Sequence, residues 1–365
     1  MSTEYLNLAA IEAAAHRSLD PMARDYYAGG ARDELTLSAN QRAWRELCLH
    51  YRVLVDVSQR TTDTTVLGQP ISLPIIAAPT AFQRLAHPEG ELAMARGVGA
   101  ADTLMILSTL STTTLEDVSA AAGGPLWFQL YVYRDRAVTR SLVQRAEAAG
   151  FQALVLTVDA AEIGTRERDT GNRFHLPAGL TVANLAGDPR AAMPEDADGS
   201  ALSKYVRDQL DPSLSWADVE WLAAQSSLPV IIKGLVRADD ARRAVDHGAQ
   251  AVVVSNHGGR QLDTSPATAT VLPTVADAVG DAVEVYVDGG IRRGTDVIKA
   301  LALGARAVLV GRPLLYGIAL EGAAGATMVI DLLRAELLEG MALCGCPDLA
   351  SIRRDLVHPE GREKH

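Results

Sequence analysis

The chain has 365 residues, 48% of them hydrophobic and 22% charged, with 34 basic against 45 acidic residues and a formal charge of -11. That composition supplies core for one large α/β domain or two smaller ones. An acidic balance with no basic block excludes nucleic acid and anionic membrane surfaces as expected partners, so an anionic ligand must be held by individual arginines.

The first residues, MSTEYLNLAAIEAAAHR, carry acidic groups and no sustained apolar stretch, which does not read as a secretory leader. No run of 18 or more apolar residues suggests a membrane span. Cys48, Cys344 and Cys346 are too few for a disulfide framework, and the last two lack neighbouring histidines, so no metal site is expected. A soluble protein of a reducing cytoplasm is the expectation.

Residues 1–72 contain a helical start, the segment DYYAGGARDE (Asp25–Glu34) and a small hairpin near Leu67–Pro70, predicted together to cap the rest of the chain. From residue 73 to the C-terminus, short apolar runs alternate with amphipathic helices. The runs are LPIIAA (73–78), TLMILS (103–108), LWFQLY (126–131), ALVLTVD (153–159), PVIIKG (229–234), AVVVSN (251–256), VEVYVDGG (283–290) and AVLVGR (307–312). The intervening helices, such as DRAVTRSLVQRAEAAG, often close on glycine. Eight strands alternating with helices predict a (β/α)8 TIM barrel, with a doubly wound open sheet as the alternative. A long polar insertion at about 160–215 interrupts the pattern after the fourth strand and reads as a lid or an unstructured loop.

In a barrel the C-terminal ends of the strands converge on one face, which gathers the polar residues after each run into one candidate site. Gly289-Gly290 follows the seventh run and Gly311-Arg312 the eighth, the loops where barrels commonly bind phosphate through exposed backbone N–H groups. Arg292 and Arg312 add charge-assisted hydrogen bonds. No GxxxxGK[ST] and no strand-linked GxGxxG is present, so nucleotide triphosphates and nicotinamide cofactors lack support. In SNHGGRQLD, His257 exits the sixth strand and needs a partner to act as a base; Asp159, ending LTVD, is the candidate. Arg260 and Arg166 can each grip a carboxylate bidentately. Tyr26 and Tyr131 can add hydroxyl contacts. Lys233 is either a Schiff-base former or a cation beside an anionic intermediate.

The segments APTAFQRLAHPEGE (Ala78–Glu91), FQLYVYRDR (Phe128–Arg136), LTVD, SNHGGRQLD and DGGIRRGTDVIKALALGA resemble those of the FMN-dependent 2-hydroxy acid oxidases and dehydrogenases, which include glycolate oxidase, lactate oxidase and mandelate dehydrogenase. The resemblance spans nearly the whole chain. It implies that His257 is the base with Asp159 behind it, that Arg166, Arg260 and Tyr26 hold the substrate carboxylate, and that Tyr131 lies by the reacting hydroxyl. Lys233 would stabilise negative charge at the pyrimidine end of the flavin. Ser108, Gln129, Thr157 and Ser255 are implied around the ring, and Ala78, Pro79, Thr80 and Ala81 against its reactive nitrogen. Asp288, Gly289, Gly290, Arg292, Gly311 and Arg312 are implied at the ribityl chain and phosphate. The implied reaction removes two electrons from the α-carbon of an (S)-2-hydroxy acid; hydride transfer and α-proton abstraction both need the same base. A homotetramer is implied by the same resemblance.

One departure bears on specificity. Where glycolate oxidase-like members carry a tryptophan, this chain has Leu110 after Ser108-Thr109. Losing an indole enlarges an apolar pocket, which predicts a mandelate-type substrate such as mandelate or 4-hydroxymandelate. Ala81 stands where oxygen-sluggish dehydrogenase members have glycine. With no haem domain and no membrane-binding insertion, an oxidase that forms hydrogen peroxide is expected.

Overall fold

The computed structural model describes residues 5–194 and 199–359. Within the predicted insertion, Glu195–Asp198 lies outside the described residues. Three helices come first: α1 (Leu8–Ser18), α2 (Pro21–Ala28) and α3 (Leu35–Arg45). Asn7 caps α1 by accepting from the Ala10 N–H, and Asp20 caps α2 ahead of a proline at its first turn. The predicted hairpin pairs Thr64–Val66 with Gln69–Ile71. Its turn residues Leu67 and Gly68 both have positive φ, 45° and 78°, as a two-residue hairpin turn requires.

The eight apolar runs form β1 (Ile75–Ala77), β2 (Met105–Ser108), β3 (Leu126–Leu130), β4 (Leu154–Thr157), β5 (Val230–Leu235), β6 (Ala251–Val254), β7 (Glu284–Val287) and β8 (Ala307–Val310). Each pairs in parallel with its sequence neighbours, and β8 returns to β1 to close the barrel. The period of two explains why the runs are apolar throughout. Ile76, Ile106, Trp127, Val155, Ile231, Val253, Tyr286 and Leu309 form one cluster that fills the barrel, and Val66 and Ile71 of the hairpin belong to the same cluster. Alternate residues, among them Ile75, Leu107, Phe128, Leu154 and Val252, join the outer core beneath the helices.

Those helices are α4 (Gly90–Ala100), α5 (Leu115–Ala121), α6 (Arg136–Ala148), then α7 (Glu167–Gly171), α8 (Ala201–Gln209) and α9 (Trp216–Ala223) after β4, followed by α10 (Ala238–Asp246), α11 (Thr268–Val279), α12 (Gly294–Ala302) and α13 (Arg312–Cys344). The stretch expected as a lid or loop thus holds two helices before α9. The reason is an apolar face on α8, where Leu202, Tyr205 and Val206 are buried.

No unbroken run of 18 apolar residues occurs, yet α13 is long enough to cross a membrane and its most apolar 18-residue stretch has a mean hydropathy of 1.4; 61% of that stretch is buried within the fold. Its apolarity serves packing. The helix breaks at Glu321 and Gly322, where Gly322 has φ 53°, and its two arms fold on each other so that a Cβ on Gly325 would stand 1.9 Å from the Gly317 carbonyl oxygen. A Cβ on Gly97 of α4 would meet the Ala323 carbonyl at 2.3 Å. Glycine and alanine keep α13 close to α4, while its hydropathy comes from alanine and the larger aliphatic side chains, interrupted by Glu321 and Asp331.

Candidate active site

Past the C-terminal end of β6 the chain reverses within three residues. His257, Gly258 and Gly259 all have left-handed φ, 58°, 64° and 76°, strain in a non-glycine residue that persists where surrounding structure enforces it. The turn sets His257 Nδ1 at 2.8 Å from Asp159 Oδ1. Asp159 needs space to reach it, and β5 supplies that space. Its register shifts between Lys233 and Leu235, and a Cβ on the intervening Gly234 (φ 115°) would lie 2.7 Å from the Asp159 side chain. The Gln261 amide nitrogen donates to the Asp159 and Glu162 carbonyls at 2.8 and 3.0 Å, fixing the backbone on either side. Burial alone would raise the Asp159 carboxyl; the His257 ring and the Lys233 ammonium outweigh it and hold the group below its ordinary value. With Nδ1–H donated to an anionic carboxylate, the lone pair sits on Nε2.

Arg260 donates through Nη1 to the carbonyls of Tyr26 and Gly29 at 2.7 and 2.8 Å. Arg166 closes the same cluster, and both guanidinium carbons stand over the Tyr26 ring, 5.0 and 5.4 Å from its centroid. Burial, then the neighbouring Arg166, lowers the Arg260 pKa, the signature of two cations held together without enough negative charge. Burial keeps the Tyr26 and Tyr131 hydroxyls protonated, raising both above the ordinary phenol value.

Around the barrel mouth the ends of β2 to β4 carry a chain of amide and hydroxyl groups. Ser108 donates to Gln129 Oε1 at 3.2 Å, and Gln129 Nε2 donates to Thr157 at 3.1 Å. Thr157 is in register with Lys233 on β5. Lys233 is buried, 3.0 Å from Ser255 Oγ and 3.1 Å from Asp288 Oδ2. Burial opposes its charge, but Asp288 and Asp159 raise its pKa above the ordinary lysine value. The ion pair with Asp288 favours the reading of the lysine as a cation over that of a Schiff-base former.

The other oxygen of Asp288, Oδ1, is buried with no hydrogen-bond partner among the described residues. Gly289 and Gly290 follow with φ 92° and 88°, and Gly290 packs so tightly that a Cβ would stand 2.3 Å from the Asn40 carbonyl oxygen. Across the cleft, Gly311 opens the first turn of α13. Among the described residues Arg312 hydrogen-bonds only to carbonyls, those of Tyr27, Gly258 and Gly29. Burial and then Arg260 push its pKa down to about 9, still cationic at neutral pH. Arg292 has Glu12 at 3.7 Å as its acidic neighbour, and its Nε lacks a hydrogen bond. Exposed peptide N–H groups, a helix start and under-compensated arginines make an anion site.

These groups share one cleft of about 1220 Å³, which Ala78, Pro79, Thr80, Ala81, Ser108, Leu110, Gln129, Tyr131, Thr157, Arg166, Lys233, His257, Arg260, Asp288, Gly289, Gly290, Arg292, Gly311, Arg312 and Tyr26 all line. Asp159 and Ser255 do not reach its wall; Ser255 sits behind it, bonded to Lys233 and to the His257 N–H. The apolar side is wider than the sequence suggests. Ile163 lines it, with Leu202, Val206 and Leu210 from α8 and the residue that follows it. Their spacing of four is the helical stripe that could have revealed them. Glu91 pins the two loops opposite, accepting from the Gln83 and Thr112 N–H groups at 3.0 and 2.8 Å. Asn40 and Trp44 join the site without any sequence signal. Asn40 exchanges two hydrogen bonds with Asn256, and Trp44 donates to the Gly289 carbonyl at 2.8 Å. Nothing in the local sequence of α3 marks either residue.

Residues 15–359 match the model of the FMN-dependent dehydrogenase family. The chain belongs to that family. This flavoenzyme is 52% identical to an L-lactate oxidase of Nostoc sp. (97% of this chain, 98% of that one) and 49% identical to the glycolate oxidase of Spinacia oleracea (97% and 96%). It is also similar to a crystal structure of mandelate oxidase with (S)-4-hydroxymandelic acid, at TM-score 0.93 and 42% identity, covering 97% of this chain and 98% of the other. The cleft fits the family's cofactor. The unpartnered Asp288 oxygen is an acceptor for a ribityl hydroxyl, and the glycine-rich anion site suits a terminal phosphate.

Proposed function

We propose that this FMN enzyme oxidises an (S)-2-hydroxy acid bearing a bulky apolar side chain, of the mandelate or 4-hydroxymandelate type, to the 2-oxo acid, with oxygen reduced to hydrogen peroxide. One observation carries the reading: a carboxylate-backed imidazole, the buried Arg166 and the half-buried Arg260 line the same cleft. FMN, when bound, supplies the two-electron acceptor. Ser108, Gln129, Thr157 and Lys233 would hold its ring, with Asp288, Gly290, Arg292 and Arg312 at its ribityl chain and phosphate.

The remaining chemistry belongs to the chain. Arg166 and Arg260 would take the substrate carboxylate and fix the molecule's orientation. His257 Nε2 accepts the proton removed in the oxidation, and Asp159 stabilises the resulting imidazolium. The Tyr131 hydroxyl, kept protonated by burial, can donate to the substrate's hydroxyl oxygen. The substrate's side chain would point to Leu110, Ile163, Leu202 and Val206, a wall that a phenyl group fills and the hydrogen of glycolate does not. Among relatives, L-lactate oxidase and glycolate oxidase names support the smaller acids as a second reading, while the mandelate oxidase structures support the larger one.

Steady-state oxidation of mandelate, 4-hydroxymandelate, lactate and glycolate, with peroxide measured, tests the proposal. Higher kcat/KM for the aromatic acids with stoichiometric peroxide is expected; preference for glycolate, or turnover only with an added dye, overturns it. Refilling the pocket tests the same point from the enzyme side. Leu110→Trp is expected to cost mandelate about 10- to 100-fold in kcat/KM while glycolate changes little, as pocket-volume effects of about 1–3 kcal/mol imply.

A further inference from the structure

Arg260 is held by peptide carbonyls, but Arg166 is held by a charge. Asp169, only 2% exposed, places Oδ2 2.9 Å from Arg166 Nε. Among the described residues neither Asp169 oxygen has a hydrogen bond, and Arg166 Nη2 is likewise buried without a partner. The contact is thus an ion pair that engages one edge of the guanidinium and leaves an Nη donor unused. The two residues are three apart, Arg166 capping α7 and Asp169 within it, so they share a helix face. Flanking residues tie α7 down: Asn172 donates to Asp25 of α2 at 2.7 Å, and Arg168 pairs with Glu34, the residue before α3, at 2.6 Å. The charged groups facing Asp169 are Arg166, Arg260 and Asp25. Two cations against one substrate anion would leave the cluster unbalanced; Asp169 supplies the second negative charge.

We propose that Asp169 is a positioning residue, holding Arg166 by Nε so that its guanidinium is presented to the substrate carboxylate. This rests on the reading of Arg166 as a carboxylate ligand. In the holoenzyme, Asp169→Asn is expected to raise KM for mandelate at least about tenfold, the loss of one charge-assisted contact, with kcat within about threefold. The Kd of phenylacetate, read from the flavin absorbance, should rise by the same factor. Mandelamide, which has no carboxylate, should keep its kcat/KM. Asp169→Glu, with its charge displaced by one methylene, should show a smaller loss confined to the acid, and it carries the test alone if the Asn variant does not retain flavin. An unchanged or tightened Kd, or equal losses for acid and amide, overturns the proposal. Arg166→Met separates the two readings. If it leaves the mandelate KM unchanged, the carboxylate assignment itself falls; if it raises KM while both Asp169 variants do not, only the positioning role falls.

Discussion

His257→Ala is expected to leave the protein yellow and folded while slowing substrate-dependent flavin reduction by about 10³- to 10⁴-fold, the upper range for a general base. The side chain lies on the cleft wall and only its backbone N–H bonds to the Ser255 hydroxyl, so its removal spares the anion site and the Ser108–Gln129–Thr157 chain. What it removes is the one histidine that lines the cleft among the described residues. Alanine tolerates the φ of 58° no better than histidine, so backbone strain is unchanged and the loss reports chemistry. Anaerobic stopped-flow at the flavin absorbance band, with FMN content measured on the same sample, checks it. Reduction within tenfold of the parent enzyme would mean that another group takes the proton.

How much of the fold and site is legible in the sequence depends on the range of each signal. Barrel strands buried on both faces read as unbroken apolar runs, and all eight runs are β1 to β8. The runs overreach the strands because the polar residues that end them, such as Asp159 and Asn256, already belong to the active face. His257, Asp159, Arg260 and Lys233 are visible because they sit at those exits. Asp169 lies inside GTRERD but carries no local mark, since its meaning depends on α7 packing against α2. Asn40 and Trp44 act through pairings more than 200 residues away in sequence, which no window can register. The insertion after β4 hides its helices because a polar, proline-containing stretch masks the short apolar stripe of α8.

Lys233→Met should destabilise the holoprotein by about 3–5 kcal/mol and yield material poor in FMN, the usual cost of removing one member of a buried ion pair. The lysine is 4% exposed and is the cation between Asp288 and Asp159. Without it, Asp288 loses the cation paired with its Oδ2, and Asp159 loses one of the two charges that hold its pKa down. The pH dependence has a defined sign. A lysine whose folded pKa is raised contributes stability that is fully present below its ordinary value of about 10.4 and is lost as pH rises through the raised one. The stability gap between parent and variant should therefore stay constant from about pH 6 to about pH 9 and narrow only in stronger base. Urea unfolding across that range measures the gap, and FMN absorbance per polypeptide measures retention. Lys233→Arg, which keeps the charge, should recover most of the stability; if it recovers none, steric fit at β5 and not the ion pair is what the methionine disturbed.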